Sequence, residues 1–185
     1  MSEIVAFYML EVTPDKAGVL GAMLVTDDLG KPEEFRVTYP VKPTALQRQL
    51  YGEALYSHVG ISLCGKPLYD ALRGKPELLI VSDKRFLSLS QSADCRVAHL
   101  ERAGEAFEIS SAEKADQISR SNLLESEGAR FRPMLFTCPT HYGEDEIRDT
   151  NELLMKYSQM IDLLEPFERI KGAIKALFDQ DERFR

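Results

Sequence analysis

The stretch Glu34–Gly52, EFRVTYPVKPTALQRQLYG, constrains the fold more than any other part of the chain, because almost every residue in it has a defined local job. Residues 34–41 alternate polar and apolar, as a half-buried strand does. Pro40 and Pro43 stop it, since proline has no N–H to give a ladder and biases the residue before it toward extended backbone. Thr44 followed by Gln47 has the spacing of a capping box, which satisfies free backbone N–H groups at a helix start. A strand, a stiff corner and a helix are thus specified within nineteen residues.

The same reading extends along the chain. Ile4 to Val12 and Val19 to Thr26 are apolar, β-prone runs, broken by Pro14-Asp15 and Gly18. Asp27-Asp28-Leu29-Gly30-Lys31-Pro32 has the composition of a hairpin turn, with glycine able to take a positive φ. The spacing predicts a helix over 45–59 with Leu46, Leu50, Glu53 and Ser57 on one face, and a further helical turn over 68–73. Glu77 to Val81 has the unbroken apolar character of a strand buried on both sides. Ser82-Asp83 caps a short helix over 84–92, and Arg96 to Leu100 is a fifth strand. The long helix between the third and fourth strands makes those two parallel.

Residues 103–130 form a polar connection, with one helix expected around 112–124. Residues 131–185 supply a sixth strand, Arg132 to Thr137, and two helices. Ile147, Leu153, Leu154, Tyr157, Ile161 and Leu164 recur at helical spacing before Pro166. Phe167, Ile170, Ile174, Leu177 and Phe178 continue the stripe after it. The whole of 1–185 is expected to be one domain, with 1–102 as its core.

Charge and length exclude several classes. The formal net charge is −7, with 12 Lys/Arg against 13 Asp/Glu in residues 1–102 and 11 against 17 in 103–185. No basic run marks a duplex-binding footprint. No stretch is long and apolar enough to span a bilayer, and the acidic start MSEIVAFYML lacks the positive region of a signal peptide. Cys64, Cys95 and Cys138 are widely spaced, as free thiols of a cytoplasmic protein would be. The expected location is the cytoplasm.

The order strand, strand, strand, helix, strand, helix, strand resembles that of RNase H-like domains over residues 1–102. The resemblance implies an α/β fold with a mixed sheet and C-terminal helices packed on it. In such domains one carboxylate sits on the first strand, one on the first helix and one at the end of the fourth strand. The matching positions are Glu11, Glu53 and Asp83, which would serve as catalytic and metal-binding residues of a nuclease with Mg or Mn. The sequence departs from the family in carrying Glu at position 11, where Asp is usual. The block 21–52 also looks like one shared by a family of bacterial proteins with no assigned activity, which implies a bacterial cytoplasmic protein and nothing about chemistry.

Other candidates are weighed against plainer readings. Arg36, Arg48 and Arg85 would hold an anion if they converged, with Gln47 and Tyr51 lining the site; the plainer reading is arginine stems lying over the sheet edge. Cys138-Pro139-Thr140-His141 has a C-x-x-H spacing, but no second tight pair completes a zinc site. Asp27-Asp28-Leu29-Gly30 lacks the alternating ligands of a calcium loop. No P-loop or dinucleotide fingerprint is present.

Three functional classes follow. The first is a non-catalytic subunit or interaction protein within a bacterial nucleic-acid-processing assembly. Its partner, a protein or a second copy, would meet the C-terminal helices, and no cofactor is expected. The second is a divalent-metal RNase H-like nuclease using Glu11, Glu53 and Asp83. The third is a binder of small anions or nucleotides using the three arginines.

Overall fold

The structure is a computed structural model that describes residues 4–102, 121–124 and 133–184. Seven strands form one sheet: β1 Ile4–Val12, β2 Val19–Asp27, β3 Pro32–Val37, β4 Leu78–Val81, β5 Arg96–Arg102, β6 Ser121–Leu124 and β7 Met134–Thr137. Their spatial order is β3-β2-β1-β4-β5-β7-β6. β1, β4 and β5 run parallel, with Tyr8 opposite Val81 and Val81 opposite His99. All other neighbouring strands are antiparallel. The expected mixed α/β architecture is present, with the parallel trio at its centre. A strand at 121–124 stands where the end of a helix was expected, and the rest of that expected helix lies outside the described residues.

β1 is buried on both sides and separates two cores. Val5, Phe7 and Met9 join one core with Leu78, Ile80, Leu154, Tyr157, Ile170 and Ile174. Ala6, Tyr8 and Leu10 join the other with Leu79, Val81, Val59, Leu68 and Phe86. This is the strict alternation that a strand sandwiched between two layers requires. Removing side chains such as Val5 or Phe7 from water contributes about 1.5–3 kcal/mol each.

The first core lies under two helices, α4 Glu144–Ser158 and α5 Glu165–Gln180. Arg96 on β5 donates to Asp149 of α4 at 2.8 Å, and Arg169 of α5 donates to the Gly30 carbonyl at 2.8 Å. The turn at Gly30 has the positive φ its sequence predicts, and Asp27 accepts from the Leu29 and Lys31 amides. The helices part at 159–164, and Pro166 sits in the first turn of α5, where its missing N–H costs nothing. The apolar stripe of these helices is largely core: Leu154, Tyr157, Phe167, Ile170 and Ile174 are buried. The sheet itself covers this apolar face of the C-terminal helices.

The second layer departs more from expectation. The predicted helix over 45–59 is divided. Helix α1 spans Ala45–Tyr51 and opens with the anticipated capping box: the Gln47 amide donates to Thr44 and the Thr44 amide to the Gln47 side chain. Gly52, at φ +50°, ends it. α2 (Ala54–His58), a wider π-helical stretch (Val59–Gly65) and α3 (Lys66–Asp70) follow without a break. The wide stretch is the part that touches the sheet. Gly60 lies so close to Phe86 that a Cβ there would stand 2.2 Å from the ring, and Gly21 of β2 meets Cys64 with similar closeness. The Tyr8 hydroxyl donates to the Gly60 carbonyl at 2.5 Å. Periodicity placed Leu46 and Leu50 on one face, but that face looks outward: the two residues are 67% and 73% exposed, and α1 buries nothing.

Gly60→Ala should lower stability by about 1–3 kcal/mol through overpacking against Phe86. Gly172→Ala, on α5 with open space around it, should be neutral or slightly stabilising. Urea midpoints of the two variants provide the comparison; equal midpoints would show that the Gly60 contact does not set the packing.

Candidate functional site

Open α/β sheets place ligands beyond the carboxyl ends of their parallel strands. Here those ends belong to β1, β4 and β5, held in step by the Ser82 amide donating to the Tyr8 carbonyl at 3.0 Å. Two hollows open at this end, one on each face of the sheet.

On the α5 face, a hollow of about 660 Å³ is lined by Met9, Ser82, His99, Glu101, Arg102 and residues of α5. His99 is buried, and its Nδ1 bonds the Val81 carbonyl at 2.9 Å. A carbonyl only accepts, so Nδ1 carries the proton. Burial holds the His99 pKa below the ordinary imidazole value, against the Val81 bond and the Glu101 charge. The charges around it are internally paired: Lys84 with Glu101 at 2.8 Å, Arg102 with Asp162 at 2.5 Å, Lys171 with Glu168 at 2.8 Å. The β1 residue on this wall is Met9, which brings no charge and no oxygen ligand.

On the other face lies a groove of about 680 Å³ between the β1–β2 turn and the helical layer. Lys16, Gly18, Arg48, Glu53, Tyr56 and Arg85 are among its lining. The turn is built tightly. Thr13 donates to Asp15 at 2.5 Å, Lys42 donates to Asp15 at 2.8 Å, and the Gly18 amide donates to Thr13 at 3.0 Å. Lys16 is thrown outward at φ +56°, a left-handed conformation that a lysine adopts only when its neighbours fix it. Arg48 is steadied by donating to the Ala17 carbonyl at 2.6 Å. Among the described residues, no carboxylate stands at ion-pair distance from Lys16 or Arg48. Arg85 lies 4.0 Å over the Tyr56 ring and grips Asp83 through both Nε and Nη2.

The three carboxylates singled out by sequence meet different fates. Asp83, two residues past β4, caps the following 3₁₀ turn through the Arg85 amide at 2.9 Å and has its oxygens occupied by the Arg85 guanidinium. Glu53 is exposed on the groove's rim and is not turned toward the sheet. Glu11, near the end of β1, is half-buried. Burial pushes the Tyr56 hydroxyl pKa upward, and the charges of Asp83 and Glu11 add to that rise. The acids are thus neighbours of one tyrosine, yet among the described residues no three His, Cys, Asp or Glu side chains are grouped to hold a metal ion. As arranged here the three carboxylates do not form a divalent-metal donor set: Arg85 occupies the Asp83 oxygens, and Glu53 is exposed.

The three arginines do not all converge. Arg48 and Arg85 share the groove. Arg36 does not join them: it lies on edge strand β3, bound by Glu34, which also accepts from the Arg73 amide at 3.1 Å. Lys16 takes the place foreseen for Arg36. Its signal in the sequence was the turn Pro14-Asp15-Lys16-Ala17-Gly18 beside a strand end, but nothing in the sequence showed that this turn would face α1. Cys138 and His141 also separate. Cys138 is buried, with its thiol pushed up to about 11 chiefly by that burial, while His141 is exposed and sets its ring edge-on to Tyr142 at 5.1 Å. All three cysteines are free thiols. Among the described residues, no helix is long and apolar enough to cross a membrane.

Solved structures share this fold. Endonuclease V from Bacillus subtilis superposes with a TM-score of 0.57 at 8% identity, over 97% of this chain and 83% of that one. Human endonuclease V does so with a TM-score of 0.51 at 13% identity, over 93% and 86%. No protein-family model matches the sequence, and no curated protein matches it significantly. The chain is an α/β protein of RNase H-like fold. At these identities the likeness speaks for the fold alone.

The Asp83 carboxyl offers a check on the site's electrostatics. Burial pulls its pKa up, but the Arg85 side chain and amide outweigh that and leave it below the ordinary carboxylate value. A depressed folded pKa means stability present above the unfolded value, near 4, and lost as pH falls through the folded one. Asp83→Asn should lower stability at neutral pH and flatten its fall below about pH 4. Urea midpoints across that range decide it; an unchanged acid limb would show that the Arg85 pair contributes nothing.

Proposed function

We propose that this protein binds the phosphate backbone of nucleic acid in the groove formed by Lys16, Arg48 and Arg85, and holds the strand without cutting it. The observation that carries this reading is the convergence of Lys16 and Arg48, neither paired with a carboxylate among the described residues, with Arg85 at the carboxyl end of the parallel strands. The glycine-bearing turn 14–18 brings backbone close to the same space. A chain of net charge −7 repels polyanions at long range. Binding therefore depends on this local patch and is sensitive to salt. The carboxylates support holding over hydrolysis, since Asp83 serves Arg85 and the α5-side wall carries Met9.

A second reading, phosphodiester cleavage, is favoured by the likeness in fold to the two endonucleases and by the place of Asp83 just after β4. It requires Asp83 to release Arg85 and to act with Glu11 and Glu53.

Fluorescence anisotropy with a labelled oligonucleotide tests the first reading. Binding should be weak, with Kd about 10⁻⁴–10⁻⁶ M at physiological salt. Lys16→Ala and Arg48→Ala should each weaken it, and each should reduce the slope of log K against log salt by about 0.7. Lys175→Ala, remote from the groove on α5, is the control. Unchanged affinity in the first two variants would overturn the groove. Cleavage of the oligonucleotide in Mn, lost in Asp83→Asn, would replace holding with hydrolysis.

A further inference from the structure

We infer that the groove takes unpaired strands, with one base stacked on Tyr51; this rests on the phosphate-binding reading above. Tyr51 is the last residue of α1 and is 42% exposed. Its ring is backed by His58, with centroids 4.9 Å apart and planes 28° from parallel. Arg48, one turn before it on α1, and Gly52 beside it both line the groove, as does Leu55 at the start of α2. Residues three and four apart are neighbours on a helix surface, so the ring borders the cationic site.

The contrast with Tyr56 is informative. Tyr56 is stacked by Phe86 at 5.6 Å and covered by Arg85 at 4.0 Å, so its ring belongs to the structure. Among the described residues, His58 is the one ring stacked on Tyr51. The backing imidazole fixes the ring in place and leaves area for a ligand. A flat apolar surface beside unpaired cations is the combination that single strands use, because every base has a π face and every linkage a phosphate. In a duplex the base faces are already stacked on one another and are closed to the tyrosine ring.

The test compares a fluorescein-labelled oligothymidine of about 12 nucleotides, a length within the span of such grooves, with its duplex on oligoadenine. The single strand should bind roughly ten-fold more tightly. Tyr51→Ala should lose about ten-fold on the single strand and leave the duplex unchanged, while Tyr51→Phe should retain binding. The chain has no tryptophan, so Tyr51→Trp supplies a single reporter whose emission should be quenched as the strand binds. Urea unfolding of each variant checks that α1 persists. Equal affinity for both forms, or a silent Tyr51→Ala beside weakened Lys16→Ala and Arg48→Ala, would overturn the stacking and leave the groove standing. Affinity indifferent to Lys16 and Arg48 as well would overturn the groove itself.

Discussion

Burial of β1 on both faces is the constraint on which the rest of the molecule depends. Val5, Ala6, Phe7 and Tyr8 are wholly removed from solvent. A strand in that position must be covered above and below, which forces three layers. It must also have both edges paired, which places β2 antiparallel on one side and β4 parallel on the other. The parallel pairing then brings the carboxyl ends of β1, β4 and β5 to one rim, where both hollows open.

The helical layer over Tyr8 is held by closeness as much as by apolar area. Gly60 and Gly65 allow the π-helical stretch to approach Phe86 and Leu89, and Gly21 lets Cys64 approach β2. Burial pushes the Tyr8 hydroxyl pKa far above the phenolic value, so it stays protonated, and the Gly60 carbonyl gives the buried O–H its partner. This contact fixes the height of the chain above the sheet. The segment before it, α1 with Gly52, is thereby left standing clear of the sheet, and the groove is the space beneath it.

Charge divides the rim into two regions of different character. On the α5 side each base has an acid: Lys84 with Glu101, Arg102 with Asp162, Lys171 with Glu168. Such pairs fix geometry and leave little field outside. On the α1 side Lys16 and Arg48 lack acidic partners among the described residues, and the Asp15–Lys42 pair serves the turn that presents Lys16. The phosphate-binding proposal therefore belongs to the second region, despite the acidity of the whole chain.

The sequence by itself determined the local elements whose signals are local. The Thr44–Gln47 capping box, the Asp27–Gly30 turn, the doubly buried 78–81 strand and the succession of the first five strands along the chain all rest on contacts within a few residues or on periodicity, and the structure contains them. It did not determine which way a face looks. Leu46 and Leu50 repeat at helical spacing, but Gly52 and the close contact at Gly60 turn that face to water, and Glu53 goes with it. The long apolar stripe of 147–178 read first as core and second as partner surface, and only the tertiary structure put the sheet against it. The site was legible only in part. Arg48 and Arg85 were visible as cations, whereas Lys16 joined them, and Arg36 left them, through pairings between residues far apart in the chain. Likewise Asp83 was visible as a carboxylate at a strand end, but tertiary packing brought Arg85 over Tyr56 and so kept that carboxylate occupied. Spacing along the chain sets what each segment can form; which side chains then share a space depends on how closely two layers approach, and that distance is a property of the packed whole.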